Sequence, residues 1–137
     1  MGSILSLDYG LKRIGVAFSD PMRSFAFRYG KIENKNLTFT LSEIKKIIEE
    51  KETDLIIIGL PLNMDKTNSQ MSARVKGFAD KLSKAVNLEV KFVDERLSSF
   101  EAEENLREAG MNAKKMKDYV DAESARIILQ EFLNNKL

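Results

Sequence analysis

Apolar residues first fall into short strand-like runs and then recur at helical spacing. Ile4, Leu5 and Leu7 form an apolar strand that ends on Asp8, and Gly10 lies in the connection to a second strand over residues 14–18. Counting by two from Asp8 puts its carboxylate on the face of Ser6 and Ile4, opposite Leu5 and Leu7. Ser19-Asp20-Pro21-Met22 predicts a turn. Phe25, Phe27 and Tyr29 alternate with Ala26 and Arg28, a third strand with one aromatic face. Aromatics at period two belong to a core more often than to a base-stacking surface, so burial is expected. Residues 30–37 supply polar loop material, and the three strands are expected to be consecutive and antiparallel.

Thr40 with Glu43 forms a capping box, and Leu41, Ile44, Ile47 and Ile48 fall at helical spacing, predicting a surface helix over residues 40–52. The continuous run LIIIG at 55–59 predicts a strand buried on both faces, the mark of a central parallel strand. Its C-terminal end opens into the Gly-, Pro- and Asn-containing stretch 59–70, where open sheets place ligands. Met71, Val75, Phe78 and Leu82 mark a helix despite Gly77, and Leu88, Val90, Phe92 and Val93 another strand. Ser98 with Glu101 is a second capping box, for a helix with the stripe Ala102, Leu106 and Ala109 that Gly110 would end. Residues 110–117 carry Lys114, Lys115 and Lys117 without periodicity and read as a mobile basic loop before a last helix over residues 117–133. The resulting β-β-β-α-β-α-β order, followed by helices, predicts an α/β fold in one domain spanning residues 1–137.

Composition narrows the chemistry. The chain has no cysteine and no histidine, which excludes disulfides, thiolate zinc sites, Ser-His-Asp triads and imidazole acid–base catalysis. Hydrolysis would have to rest on carboxylates, lysine or a hard cation such as Mg²⁺ or Mn²⁺. The 22 Lys+Arg and 21 Asp+Glu leave a formal charge of +1, which permits local basic patches but predicts no nonspecific nucleic-acid coat. No apolar run approaches transmembrane length and the start lacks a basic region before an apolar one, so a soluble, cytoplasmic chain with no membrane partner is expected.

Carboxylates mark one rim. Ala125, Ile128 and Phe132 form an i, i+3, i+7 stripe that extends N-terminally through Asp121 to Asp118. Asp121 therefore points at the sheet from the start of its helix; the helix dipole favours an acid at that end but not one turned inward. Asp118, beside lysines, reads equally as a cap. At the end of the strand at 88–93 stand Asp94 and Glu95 on alternate faces, and periodicity does not choose between them; either also reads as a partner of Arg96 or as a helix N-terminal charge. Asp8 alone could serve an Asx-type turn. Three like charges at one rim would repel unless a cation joined them. Two divalent metals about 3.5–4 Å apart could activate water and stabilise the leaving oxygen of a phosphodiester.

Four segments occur in order across nearly the whole chain: LDYGLKRIGVAFSD at 7–20, GLPLNMD at 59–65, DERLSS at 94–99 and VDAESARIILQEFL at 120–133. Together they resemble the YqgF (RuvX) family of Holliday-junction resolvases or pre-16S rRNA nucleases, within the ribonuclease-H-like superfamily. The resemblance implies a five-stranded mixed sheet, its first three strands antiparallel and the rest joined by parallel crossovers, flanked by helices. It also implies a site for Mg²⁺ or Mn²⁺ on Asp8, Glu95 and Asp121, with no catalytic role for Asp94. Asp118 repeats the spacing of two aspartates on the last helix of the more distant RuvC resolvases and is a candidate auxiliary ligand. The chain departs from the family pattern at Lys66, where glycine is usual, at Ser98, where threonine is common, and at Ser124-Ala125, usually Ala-Ala, with Glu123 adding a charge.

The implied activity is metal-dependent hydrolysis of nucleic-acid phosphodiesters in processing the 5′ end of pre-16S rRNA, or resolution of four-way DNA. Lys12, Arg13, Arg96, Lys114, Lys115 and Lys117 are candidate phosphate contacts. The expected partners are structured RNA (pre-16S rRNA) or branched DNA, and ribosomal precursor particles. The chain is expected to act as a monomer or weak homodimer, a C₂ pair suiting a junction. One rival is a non-catalytic nucleic-acid-binding ribosome-maturation factor that keeps the fold. Another is nucleotide binding, because the Asp-x-Gly hairpin also resembles the phosphate loop of actin-like ATPases, although those need two such domains.

Overall fold

The opening hairpin forms as its alternation requires. β1 (Ser3–Tyr9) pairs antiparallel with β2 (Arg13–Ser19), Leu7 opposite Val16 and Asp8 opposite Gly15. β2 pairs antiparallel with β3 (Ala26–Glu33), and α1 (Leu37–Lys51) then leads into β4 (Thr53–Leu60), which lies parallel to β1. α2 (Gln70–Val86) crosses to β5 (Val90–Asp94), parallel to β4, and α3 (Ser98–Glu108) and α4 (Ala113–Asn135) follow. The strand order is β3-β2-β1-β4-β5, a five-stranded mixed sheet. This computed structural model describes residues 2–61, 69–94 and 98–135, and of residues 98–101, 103 and 113–118 the backbone alone. No helix among the described residues is long and apolar enough to cross a membrane.

Helices cover both faces because strand side chains alternate. Leu5, Leu7, Ile14, Val16, Ile56 and Ile58 pack with Ile44 and Ile47 of α1 and Val75, Phe78 and Leu82 of α2. Ile4, Ala17 and Ile57 pack with Ala125, Ile128, Leu129 and Leu133 of α4 on the other face. Ile56, Ile57 and Ile58 are all fully buried, as the uninterrupted apolar run requires.

Five local expectations are corrected. Phe25, Phe27 and Tyr29 are 65%, 45% and 40% exposed, so the aromatic face of β3 is not core. β3 is an edge strand, and its register against β2 shifts between Val16 and Ala17, leaving Tyr29 as the extra residue. That extra residue switches the alternation: Phe27 lies opposite Phe18, but beyond the bulge it is even-numbered Ile32 that joins the same core cluster. Gly30, at φ 154°, supplies the backbone geometry that follows the bulge. β3 thus extends through residues expected to be loop.

α1 begins three residues before Thr40. Its cap is Asn36, whose Oδ1 accepts from the Phe39 N–H at 2.8 Å, and the first helical bond runs from the Thr40 N–H to the Asn36 carbonyl. Thr40 is buried inside the helix instead, its Oγ1 donating to Asn34 Oδ1 at 3.2 Å. α4 likewise begins at Ala113, so the segment expected as a basic loop is already helical there. Gly110, at φ 86°, closes α3 with its N–H on the Arg107 carbonyl and the Met111 N–H on the Leu106 carbonyl. After it, Ala, Lys and Met favour helix without needing an apolar stripe. Ser98 is the first residue of α3 rather than its cap.

Candidate active site

Asp8 stands at the C-terminal end of β1, the rim over which α4 passes. By alternation Asp8 shares the face of Ile4 and Ser6, the face that α4 covers. α4 runs down that face against the direction of β1. Its N-terminal turns lie over the rim, the Ala125 carbonyl accepts from Ser6 Oγ at 2.8 Å, and further down Gln130 Oε1 accepts from the Ala26 N–H at 3.0 Å.

The closest approach is at Gly15, the residue directly opposite Asp8. A Cβ placed on Gly15 would lie 1.9 Å from the Asp121 carbonyl oxygen and 2.3 Å from its carbon, so the strand can meet the helix backbone only where no side chain intervenes. This contact brings the Asp121 segment against the strand residue that pairs with Asp8, and both aspartates belong to the same layer. Glycine inside a strand is the sequence signal for such a contact.

Asp121 holds a cation. The Arg13 Nε donates to Asp121 Oδ2 at 2.8 Å, and this hydrogen bond, with the carboxylate charge, raises the guanidinium further above its ordinary value. Arg13 remains about half exposed, and Lys12 beside it is exposed. Asn34 steadies the hairpin turn, its Nδ2 donating to the Gly10 carbonyl at 2.8 Å and its N–H to the Lys12 carbonyl at 2.9 Å.

The remaining candidates divide by position. Glu95 and Arg96 lie outside the described residues. Asp94, the last residue of β5, is in register with Leu60, and the preceding Val93 packs on the α4 cluster. Lys114, Lys115, Lys117 and Asp118 fall in the first turns of α4, Asp118 one turn before Asp121, and only their backbone is described. Among the described residues no group of three or more Asp, Glu, His or Cys side chains is close enough to hold a metal ion.

Behind the rim, α4 carries a second polar feature. Glu123 is buried, its carboxylate taking a bidentate pair of bonds from Arg126 Nε and Nη2, both at 2.7 Å, and one from Asn105 Nδ2 of α3 at 3.2 Å. Arg28 Nη1 of β3 lies 3.8 Å away, and its guanidinium stands over the Tyr119 ring. Burial alone would raise the Glu123 carboxyl, but the hydrogen bonds and charge of Arg126, with Asn105 and Arg28, outweigh it and hold the carboxyl below its ordinary value. A depressed acid contributes stability that is present above its unfolded pKa and lost as pH falls through the folded one. Glu123→Gln is therefore expected to cost about 1–3 kcal/mol at neutral pH. Its melting temperature should fall less steeply below about pH 4.5, converging on wild type in acid. Parallel melting curves across that range would contradict this role.

Comparison with known proteins agrees with the fold. A family model described as "RuvX: Holliday junction resolvase" matches residues 2–135. A "Putative pre-16S rRNA nuclease" of Maridesulfovibrio salexigens is 42% identical over 130 residues, covering 95% of this chain and 96% of that protein. One of Syntrophomonas wolfei is 40% identical over 131 residues, covering 96% of this chain and 93% of that protein. Among solved structures, the fowlpox virus resolvase in complex with Holliday junction DNA superposes with a TM-score of 0.59 at 10% identity, covering 96% of this chain and 97% of that one. Thermus thermophilus RuvC gives 0.56 at 8% identity, covering 96% and 93%. At such identities these two structures show the fold alone.

Proposed function

Because the chain belongs to the RuvX family, in the ribonuclease-H-like superfamily, we propose that it is a single-domain, divalent-metal-dependent nuclease acting in the cytoplasm on the 5′ end of pre-16S rRNA. The observation that carries this reading is the meeting of the Asp8 and Asp121 segments across Gly15. The donor set fits a hard cation: the acids offer only carboxylate oxygen, and a guanidinium already stands against Asp121. Asp8 and Asp121, with Glu95 as third acid and Asp118 as auxiliary, would hold Mg²⁺ or Mn²⁺. When bound, the metal supplies activation of water and neutralisation of charge on the phosphate.

The chain's own residues do the positioning. Ser6 and Gly15 fix the height of α4 over the sheet, and with it the reach of Asp121. Arg13 orients the Asp121 carboxylate through Nε and keeps its charge balanced before substrate arrives. Lys12 at the hairpin turn, Arg96, and Lys114, Lys115 and Lys117 near the start of α4 supply positive charge for phosphates around the same rim.

The relatives' names favour precursor rRNA, and the family model's description favours four-way DNA as the second reading. Incubating the protein with a precursor 16S rRNA fragment and a Holliday junction side by side, in Mg²⁺, Mn²⁺ or EDTA, tests both. Metal-dependent cutting of the RNA at a defined position, with the junction intact, is the expected result. Junction cleavage alone would favour the second reading. Tight binding with no product in either metal would leave only the non-catalytic maturation factor.

A further inference from the structure

On the opposite face of β1 from the acids lies a groove of about 450 Å³, lined by Tyr9, Leu11 and Lys35 together with Arg74, Gly77 and Lys81 of α2. Tyr9 directly follows Asp8, so the groove and the acidic rim share one end of the sheet and are separated by the β1–β2 turn. The Tyr9 ring packs on Phe78 with centroids 4.7 Å apart, which fixes the floor.

Three features make this groove suited to a polyanion. Lys35, Arg74 and Lys81 line it with no Asp or Glu among the lining residues, and none of the three is ion-paired to an acid among the described residues. Arg74, Gly77 and Lys81 follow i, i+3, i+7 spacing, so the two cations stand on one side of α2 about 10 Å apart along the axis, roughly three phosphate steps of a stacked strand. Between them Gly77 has no atom within 4 Å of where its Cβ would be, so packing does not require glycine there. A side chain at 77 would instead project into the groove.

We propose that the groove binds the sugar–phosphate backbone of one nucleic-acid strand, which then crosses the β1–β2 turn, past Lys12, to the Asp8–Asp121 rim. Binding in the groove stands on its own charges and shape; delivery to the rim rests on the nuclease reading above.

Gly77→Glu tests the groove without threatening the fold, since Glu is the better helix former and the space is open. Anisotropy of labelled single-stranded RNA and DNA of one sequence would be measured in EDTA, which separates binding from cleavage. Gly77→Glu and the double variant Arg74→Gln/Lys81→Gln should each weaken binding about tenfold or more, and the double variant should lower the salt slope by about 1.4. Gly77→Glu should melt no lower than wild type, and Lys45→Gln, exposed on α1, should bind as wild type. An equal loss for RNA and DNA identifies the backbone as ligand, and a larger loss for RNA adds a ribose contact. Wild-type affinity and salt slope in both groove variants, or no binding of either strand by wild type at low salt, would overturn the proposal. Asp8→Asn distinguishes the two readings: it should lose cleavage while keeping affinity, whereas the groove variants should raise KM and keep kcat. If wild type binds but cleaves nothing, the nuclease reading fails while the groove is still judged by the binding losses.

Discussion

Asp8→Asn is expected to lower the single-turnover cleavage rate by about a thousandfold or more while leaving the melting temperature and nucleic-acid affinity close to wild type. Asparagine keeps the shape and one acceptor oxygen of aspartate but removes the charge that a hard cation requires. A thousandfold loss corresponds to about 4 kcal/mol of barrier, within what loss of a metal-held, charge-stabilised transition state costs. The informative control is Asp94→Asn at the end of β5, a second acid near the same end of the sheet that is assigned no role in the chemistry. It should cleave within a few fold of wild type. Equal rates for Asp8→Asn and wild type would remove Asp8 from the site.

Gly15→Ala should be more damaging than a methyl added at Gly2, Gly10, Gly30, Gly77 or Gly110. The three atoms nearest the new Cβ all belong to the Asp121 backbone, at 1.9, 2.3 and 3.0 Å, so no side-chain rotation relieves the clash and α4 itself must move. Overpacking of this kind costs about 1–3 kcal/mol or more. The shift also carries Asp121 away from Asp8, so cleavage should fall by at least about a hundredfold even at temperatures where the variant stays folded. Gly77→Ala makes the opposite case with the same chemical change. Its Cβ meets nothing, and replacing a mid-helix glycine should stabilise by about 0.5–1 kcal/mol. Urea titrations of both variants measure the contrast, and a Gly15→Ala midpoint equal to wild type would mean that the strand and helix are not in obligatory contact.

Much of this architecture was legible because the relevant residues obey a simple period. The run at 55–59 has no polar interruption and became the doubly buried β4, and counting by two put Ser6 on the face that α4 covers, with the β1 register unbroken from there to Asp8. The stripe Ala125, Ile128 and Phe132, extended backward, reached Asp121, whose backbone carbonyl lies against Gly15 of the sheet. What could not be read was whatever broke a period or had two competing signals. The extra residue at Tyr29 reverses the faces of β3 halfway along, so alternation over 25–29 gave no warning that the aromatics lie at an uncovered edge. Asn36 and Thr40 are both competent caps, and only the helix hydrogen bonds decide for Asn36. Gly15 has no side chain to carry a pattern, and the buried Glu123 is explained only by partners on β3, α3 and α4 that no local window brings together.

The most direct test is the position of manganese in a crystal soaked with Mn²⁺ and measured at its absorption edge. An anomalous peak shared by the carboxylates of Asp8 and Asp121 is the expected result. A crystal in which Mn²⁺ binds elsewhere, or in which saturating Mn²⁺ leaves no peak between these two aspartates, would contradict the assignment of this rim as the catalytic centre.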